Sequence, residues 1–570
     1  RVLFRSRLVL LFVFAVVSLV IFLAVPKPPA SLFLANAMSD HMVLSRSGGS
    51  VWGYSVHKDD HIDVTLSVTG SPFLCKDAVA GTPVSFSIFT TIWLWKCNYG
   101  PQDNIGPYTL RVESRGLGTA VVLKDVHFGE VFLCSGQSNM EFTVGSEIHA
   151  DVELEKVKSG KYDRIRFLIV GAEERGSALK KPSMEFRHLL TPWTKPSPSY
   201  FDKADCTIND ATKWNAGISA VCWDFGRRVY EHLEYKVPVG LVDSAYGGTS
   251  MAYWSPPGAL ETCRALKMPC QVPQGALFDQ TSTDAVFRAE PAPVETCSGL
   301  YNGMLHPLLH MSFSAIAWYQ GENDVPISGD TKYFACAFKA LLNSFRDIFG
   351  SGNDDMIPIL AVQLAPYNNG GHSGDSLANT RATQAAVIET IPRSALITTL
   401  DLGDWDSPCG GGNIHPRNKE RIGARLFAYA RRMLYSGGNW TVLQSPRPTL
   451  CTIFSNSIEI VFDKNLSVDS PRLPTQCHAP TGRLGGRCVS SGYEVEATRG
   501  GKWHPISTTA APMDNSSSKI EANGVRVYFP TAGLGNEANL RYAYSDFPAL
   551  SLFDASGVPV SQFTITCNKS

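Results

Sequence analysis

The sequence has no long block of like charge. Its 570 residues include 51 Lys and Arg against 52 Asp and Glu, a formal net charge of −1. Proteins that bind nucleic acid usually present a basic face, so we expect no nucleic-acid partner. Cys-x-x-Cys pairs and the His spacing of zinc sites are also missing, which argues against a metal site. No internal repeat is evident.

Cysteines, by contrast, are numerous. There are 14, an even number, and in an exported chain such cysteines form disulfides. Cys134 and Cys222 stand in apolar surroundings and are interpreted as free core thiols. Two candidate local pairs are Cys263 with Cys270, and Cys477 with Cys488.

The N-terminus predicts entry into the secretory pathway. Three arginines within the first seven residues precede the apolar run Leu8–Val25, which only Ser18 interrupts. A basic flank and an apolar core are typical of an export signal. A run of about 18 residues can also span a bilayer as an uncleaved anchor. Both interpretations stay open, and an anchor would be the only membrane contact.

Four Asn-x-Ser/Thr tripeptides follow residue 435, and they suggest an exposed, glycan-tolerant C-terminal surface. Their acceptor residues are Asn439, Asn465, Asn515 and Asn568.

The chain is too long for one hydrophobic core, and its pattern changes twice. Short alternating runs over 31–125 predict a β-sandwich-like N-terminal domain after a signal or anchor at 1–30. Alternation returns over 437–570 and predicts a C-terminal β-rich domain. Between them, over 126–436, apolar runs alternate with helical stretches. This rhythm predicts an α/β domain with a parallel sheet covered on both faces.

The polar ends of the predicted strands indicate a functional site. Gly-rich or polar residues follow the strands at Ser135, Ser244, Gln320 and Asp401. The carboxyl ends of parallel strands share one edge of a sheet, where ligands bind. The predicted strands are Val131–Cys134, Val237–Ser244, Ala315–Tyr319, Ile357–Leu364 and Ala395–Leu400.

Ser138 follows the first of these strands, after a turn of small polar residues. This placement suits a nucleophile near helix N–H groups, although a helix-capping role fits as well. The Gly-x-Ser-x-Gly pattern is not met, because Met140 takes its last position. A nucleophilic serine needs a base, and His415 in a Gly-rich loop is the candidate. The Gly247 N–H and the Asn323 amide are candidate donors to an oxyanion.

Other histidines and aromatic residues have simpler interpretations. His306 and His310 share helical spacing but lack a zincin glutamate, so we interpret them as structural. Trp223, Tyr253 and Trp254 are candidates either for stacking on sugars or for core packing.

Ser138, Gly247, Asn323 and His415 match, in order, the four blocks of the SGNH (GDSL-like) hydrolases. The motifs S-G-Q-S-N-M, G-G-T, W-Y-Q-G-E-N and I-H-P-R-N-K resemble those of the sialate O-acetylesterase family, as does the region of Asn36–Leu44. The resemblance covers about residues 31–435. It implies an SGNH-type domain flanked by β-rich domains. It also implies a secreted or lysosomal esterase that needs no cofactor and removes acetyl groups from O-acetylated sialic acid.

The resemblance implies a role for each matched residue. Ser138 is the nucleophile, His415 is the base, and the N–H groups of Ser138 and Gly247 form the oxyanion hole with Asn323. Gly248 is the alternative to Gly247. Further residues are candidates for contact with the substrate or for support of the site: Gln320, Glu322, Arg381 and Gln384. Two of them have simpler interpretations, Glu322 as a brace of its loop and Arg381 as a charge on the surface of a helix.

One position departs from the family pattern. Many SGNH enzymes carry Asp three residues before the histidine, and here that position is Gly412. Asp404 and Asp406 are near enough in sequence to replace it. Alternatively, a backbone carbonyl orients His415 and leaves a Ser–His dyad, which we favour. The alternative functions are an esterase for another acetylated glycan, such as acetylxylan, and a catalytically silent glycan-binding protein.

Overall fold

The computed structural model describes most of the chain after residue 29. It covers residues 30–67, 73–87, 90–171, 178–207, 217–266, 270, 296–350, 356–367, 375–436, 445–472, 492–497, 500–506, 510–512, 522–528 and 531–570. The predicted signal or anchor and the acceptors Asn439 and Asn515 lie outside these residues, whereas Asn465 and Asn568 are described and exposed. None of the described helices combines the length and the apolarity needed to cross a membrane.

Strands dominate both ends of the chain. Those before and into the central sheet are β1 Leu32–Leu34, β2 Val43–Ser45, β3 Gly49–Ser55, β4 His61–Leu66, β5 Phe73–Val79, β6 Thr82–Ser87, β7 Thr90–Tyr99, β8 Tyr108–Ser114 and β9 Ala120–Gly136. The remaining central strands are β10 Ile165–Val170, β11 Leu189–Thr194, β12 Val239–Ala245, β13 Ala315–Tyr319, β14 Ile359–Val362 and β15 Ser394–Ile397. The C-terminal strands are β16 Pro448–Ile453, β17 Ser457–Arg472, β18 Tyr493–Glu496, β19 His504–Pro505, β20 Ala510–Pro512, β21 Ala522–Tyr528, β22 Glu537–Tyr542, β23 Leu550–Asp554 and β24 Phe563–Lys569.

The α-helices of the described residues lie in the middle of the chain. They are α1 Ser138–Glu141, α2 Ala150–Lys158, α3 Ala220–His232, α4 Met251–Trp254, α5 Lys332–Phe349, α6 Ser376–Glu389 and α7 Glu420–Tyr435. The fold is therefore mixed α/β, and the helical stretches predicted from apolar spacing are confirmed at α3, α5, α6 and α7.

The central sheet has the strand order β11-β10-β12-β9-β13-β14-β15. All its strands are parallel except the edge strand β11, and the five predicted strands all lie within it. β9 comes first of these in the chain but lies in the middle, with β12 on one side and β13 on the other. Such a switch of direction opens a crevice at the carboxyl ends of the strands. The strand β10 was not predicted, although its run I-R-F-L-I-V is apolar enough to indicate one.

Both faces of the central sheet are buried, as predicted. Along β9, Val131 and Leu133 join one hydrophobic cluster, whereas Phe132 and Cys134 join another on the opposite face. The first cluster includes α5 and α6, and the second includes α3 and α7. Side chains alternate between the two faces because a strand has a period of two residues. With both faces covered, Gly136 and the residues after it lie at the carboxyl edge of the sheet.

β9 also joins the N-terminal region to the central sheet. Its first half pairs with β8, and its second half pairs with β12 and β13, so the strand runs through the predicted boundary at residue 125. Strands β1, β3, β6 and β7 form a separate four-stranded sheet. After α7, the described strands β16–β24 form one further sheet.

The disulfides correct two predictions. Cys134 and Cys222 are bonded to each other, because the helix α3 brings Cys222 onto β9; they are not free thiols. Cys263 and Cys270 do not pair together, since the fold brings each to a more distant partner. Six disulfides link the described cysteines, and they fit a chain of the secretory pathway: Cys75–Cys97, Cys134–Cys222, Cys206–Cys409, Cys263–Cys336, Cys270–Cys297 and Cys451–Cys567. Cys477 and Cys488 lie outside the described residues.

Candidate functional site

The site begins where β9 ends against β13. Gly136 has a φ of +147°, and a Cβ atom there would lie 2.0 Å from the Tyr319 carbonyl oxygen, so only glycine fits. The Gln137 N–H donates to the same carbonyl at 3.0 Å. The chain then turns directly into α1. Ser138 is its first residue and lies at the carboxyl edge of the sheet, as predicted.

Ser138 and His415 are in direct contact. The Ser138 Oγ lies 2.8 Å from the His415 Nε2, although 277 positions separate the two residues in sequence. Each side chain is 8% exposed, so the pair is shielded yet reachable at the sheet edge. The cap position of α1 belongs to Gln137, whose side chain makes no capping bond. The contact suits a nucleophile and its base, whereas it gives Ser138 no capping role.

A backbone carbonyl orients the other side of the imidazole. The His415 Nδ1 is hydrogen-bonded to the Gly410 carbonyl oxygen. A carbonyl can only accept, so Nδ1 carries the proton and Nε2 is left to accept from Ser138. Asp404 instead binds the Arg417 guanidinium at 2.6 and 3.1 Å, and Asp406 is exposed. The sequence left an acidic third member open, and the structure places neither aspartate in that position.

Burial changes the protonation of His415. It lowers the pKa of His415 to about 4; the hydrogen bond to Gly410 opposes this shift, and the positive charge of Lys419 adds to it. The imidazole therefore stays neutral in mildly acidic solution, where an exposed histidine would be protonated.

Gly247 lies directly against Ser138. A Cβ atom on Gly247 would lie 3.2 Å from the Ser138 Cβ, whereas one on Gly248, which is exposed, would meet nothing within 4 Å. The Gly247 N–H donates to the Glu141 Oε2 at 2.8 Å. This N–H beside Ser138 therefore already donates to a carboxyl oxygen. Glu141, the last residue of α1, was not predicted as part of the site.

Asn323 lies on the loop after β13, in the short 3-10 helix Glu322–Asp324. Its side chain is exposed, and its backbone N–H points at the Gln137 Oε1 at 3.4 Å. Asn323 therefore belongs to the loop that packs against the turn before Ser138, with its amide open to solvent.

Asn139 connects the segments that carry Ser138 and His415. Its Nδ2 donates to the Ile414 carbonyl at 2.9 Å and to the Glu322 Oε1 at 2.5 Å. Its Oδ1 accepts from the Lys419 Nζ at 2.5 Å. Burial raises the pKa of Glu322 and lowers that of Lys419 to about 7. The Glu322 side chain therefore connects the loop after β13 to Asn139 of α1.

Gln320 supports the neighbouring loops rather than the solvent side of the site. Its side chain is buried and donates to the Thr249 carbonyl at 2.9 Å and to the Asp324 carboxylate. Asp324 in turn accepts from the Ser250 hydroxyl at 2.5 Å and from the Met251 N–H at 2.9 Å. Gln320 thus fixes the loop after β12, which contains Gly247, to the loop after β13.

Arg381 and Gln384 are buried and hydrogen-bonded to backbone groups, which corrects the prediction that they face the substrate. Arg381 is fully buried, so it is not a surface charge either, and its guanidinium donates to four carbonyls. Gln384 is also buried and accepts from the Leu364 N–H at 3.0 Å. Both side chains point inward from α6. The acceptors of Arg381 are the carbonyls of Leu364, Ala365, Ser545 and Asp546.

The remaining candidates are structural. His306 is buried against the Ser183 carbonyl at 2.8 Å, and burial lowers its pKa to about 4. His310 packs edge-on against Trp52. Trp223, Tyr253 and Trp254 are core residues. Within the described ranges, no group of three or more His, Cys, Asp or Glu side chains is arranged to hold a metal ion.

Four residues of the site were not predicted from the sequence, and they differ in whether a sequence pattern could have indicated them. Asn139 and Lys419 stand inside the motifs S-G-Q-S-N-M and I-H-P-R-N-K, so proximity to Ser138 and His415 was a usable signal. Glu141 stands three residues after Ser138 in the acidic first turn of a helix. Gly410 acts through its backbone carbonyl, and no residue type marks such a role.

Comparisons with known proteins place this chain among carbohydrate esterases. Residues 128–415 match the family model described as "Carbohydrate esterase, sialic acid-specific acetylesterase". Sialate O-acetylesterase of Rattus norvegicus is 30% identical over 464 residues, which cover 76% of this chain and 79% of the rat protein. The Mus musculus protein of the same name is 28% identical over 568 residues and 94% of both chains.

A solved structure shares the fold. The crystal structure of a carbohydrate acetylesterase from Xanthomonas citri superposes with a TM-score of 0.66. It covers 94% of this chain and 99% of the bacterial one at 22% identity, so the likeness concerns the fold.

Proposed function

This chain belongs to the sialic acid-specific acetylesterase family of carbohydrate esterases, and on that premise we propose that it hydrolyses O-acetyl esters of sialic acids with Ser138 as nucleophile. The observation that carries the proposal is the 2.8 Å contact between Ser138 and His415 at the switch point of the sheet.

The first half of the reaction forms an acetyl-serine. His415 Nε2 takes the proton of the Ser138 hydroxyl as Oγ attacks the acetyl carbonyl carbon. The Gly410 carbonyl holds the Nδ1 proton, which stabilises the imidazolium that forms. His415 then gives its proton to the sugar oxygen, and the deacetylated sugar leaves.

The second half of the reaction regenerates the serine. A water molecule gives a proton to His415 and attacks the acetyl carbon. Acetate leaves as the Ser138 oxygen takes the proton back from His415. Each step moves one proton between Nε2 and an oxygen, so the His415 tautomer set by Gly410 serves both halves.

The oxyanion of each tetrahedral intermediate needs hydrogen-bond donors. We assign this role to the Gly247 N–H, the Ser138 N–H and the Asn323 amide. The place of the Gly247 N–H beside Ser138, where it donates to a carboxyl oxygen of Glu141, supports the assignment. When substrate binds, the ester oxygen replaces this carboxylate. Loss of one such donor commonly costs about two to three decades in rate.

The proposal also covers the finer organisation of the chain. The central α/β part is an SGNH-type hydrolase domain at 126–436, between β-rich domains at 31–125 and 437–570, with β9 shared across the first boundary. We place the enzyme in the lysosome or outside the cell, which the six disulfides among the described cysteines support.

Another acetylated carbohydrate is the second candidate substrate. The fold neighbour from Xanthomonas citri is named only as a carbohydrate acetylesterase, and the dyad geometry would serve any small acetyl ester.

The test is acetate release from 9-O-acetylated sialic acid by the secreted protein, with Ser138→Ala as the matched variant. We expect release by the wild type and a loss of at least about a thousandfold in Ser138→Ala. Activity that survives in the folded variant would contradict the mechanism. Release from acetylxylan alone would favour the second substrate, and glycan binding without release would favour a silent protein.

A further inference from the structure

The loop that carries His415 is tied to another part of the chain by a disulfide. Cys409 is bonded to Cys206, which is 203 positions earlier and lies after β11. Both residues are buried and pack with Phe142, the residue that follows α1. The bond therefore lies between the loop of the base and the segment next to the nucleophile.

Gly410 connects this disulfide to the imidazole. Its N–H donates to the Cys206 carbonyl at 2.7 Å, and its own carbonyl accepts from the His415 Nδ1. Cys206 and Cys409 thus fix the position of Gly410, and Gly410 fixes the orientation of the His415 imidazole.

We infer that the Cys206–Cys409 disulfide is a positioning element for His415: it holds the Gly410 carbonyl where an acidic side chain would otherwise orient the imidazole. The inference rests on the proposed function and extends it. Cys206 and Cys409 touch no reacting atom and act only through Gly410.

The loop itself explains why such a restraint is needed. Gly410–Gly412 are three consecutive glycines, and Gly411 and Gly412 have φ values of +82° and +69°. Glycine loses more conformational freedom on ordering than any other residue. A neutral carbonyl also attracts an imidazolium less than a carboxylate does. The orientation of His415 therefore depends on where the backbone is held, and a covalent link supplies that restraint.

The test is the double variant Cys206→Ser/Cys409→Ser, with Cys451→Ser/Cys567→Ser in the C-terminal sheet as the matched control. We expect kcat to fall about 10- to 100-fold in the first variant while KM changes less than about twofold, because only the placement of the base is lost. The control should keep the wild-type kcat. An unchanged kcat in the folded first variant, or an equal loss in the control, would overturn the inference.

A second readout follows the imidazole directly. In protein with ¹⁵N-labelled histidine, the His415 Nδ1 proton should be protected from exchange in the wild type and in the control. The Cys206→Ser/Cys409→Ser variant should lose this signal, and retention would overturn the inference. The signal does not depend on turnover. A wild type without esterase activity would contradict the proposed function, and this measurement would still test whether the disulfide positions His415.

If the double variant does not fold, the wild type can be reduced stepwise with a phosphine and the freed thiols mapped by alkylation and mass spectrometry. Activity should fall in step with the labelling of Cys206 and Cys409 and return on reoxidation. A loss that follows another cysteine pair would overturn the inference.

Discussion

Burial in the fold changes the acid–base chemistry of His415. Its ordinary pKa is near 6.5, and burial lowers the pKa to about 4. A general base works only in its neutral form, so a lowered pKa extends activity toward acid pH. This shift would suit an esterase that meets its substrate in an acidic compartment.

We therefore expect kcat/KM for acetate release to stay nearly level from pH 7 down to about 5. Its acid limb should fall near the His415 pKa of about 4, because protonation of the imidazole removes the base. A pH profile of kcat/KM on the free enzyme measures this limb directly. An acid limb near 6.5, the value of an exposed histidine, would show that burial does not govern the base.

Three elements meet at Asn139. Its carboxamide links α1 to the loop after β13 through Glu322, and to the segment between β15 and α7 through Ile414 and Lys419. Because the Ser138 and His415 segments come from opposite ends of the catalytic region, one buried amide sets much of their mutual distance. Lys419 also lies over the Phe142 ring at 4.8 Å, which gives its charge a further partner.

We expect Asn139→Ala to lower kcat for acetate release about 10- to 100-fold, since the dyad loses its common brace. Stability should fall by about 1–3 kcal/mol, because Glu322 and Lys419 each lose a buried hydrogen-bond partner. Steady-state kinetics and chemical denaturation measure the two effects.

The matched control is Asn98→Ala, which removes an exposed asparagine of β7 that accepts from Ser50. It should change neither quantity appreciably. Wild-type kcat in a folded Asn139→Ala protein would show that the dyad is positioned without this brace.

At the scale of the whole molecule, polar contacts, one buried and one partly buried, link the C-terminal sheet to the α/β region. Arg381 on α6 donates to the Ser545 and Asp546 carbonyls at 3.0 and 3.1 Å. Arg541 on β22 reaches back to Asp375, the residue before α6, at 2.8 Å. The two arginines therefore link the two regions in opposite directions. Both links reach the α/β region at α6 or at the residue before it.

We expect Arg381→Ala to reduce the free energy of unfolding by about 2–4 kcal/mol, because four buried carbonyls lose a charged donor. The kcat of the folded fraction should stay close to wild type, since the guanidinium of Arg381 donates to four carbonyls that belong neither to Ser138 nor to His415. Chemical denaturation and kinetics below the unfolding transition test both statements.

Arg447→Ala is the control at the same junction. Arg447 forms a half-exposed ion pair with Glu389 at 3.0 Å, and such pairs contribute less than about 1 kcal/mol. A tenfold loss of kcat in folded Arg381→Ala protein would contradict the separation between junction and site.

Several features of the chain follow from local sequence alone. The apolar run Val131–Cys134 and the polar turn after it determine a buried strand that ends at Ser138. The strand-and-helix rhythm determines the parallel sheet, and a sheet of that kind brings its carboxyl ends to one edge. The motifs around Ser138 and His415 likewise determine the family. All of these are patterns of neighbouring residues, which a linear sequence preserves.

Other features exist only once the chain has folded. Cys134 pairs with Cys222, and the Gly247 N–H donates to the Glu141 carboxyl group, although the partners are distant in sequence. The burial of Arg381 depends on which face of its helix is covered. Gly410 acts through its backbone carbonyl, a group that every residue type has. Such contacts depend on tertiary packing and backbone position, and neither leaves a mark in the order of the amino acids.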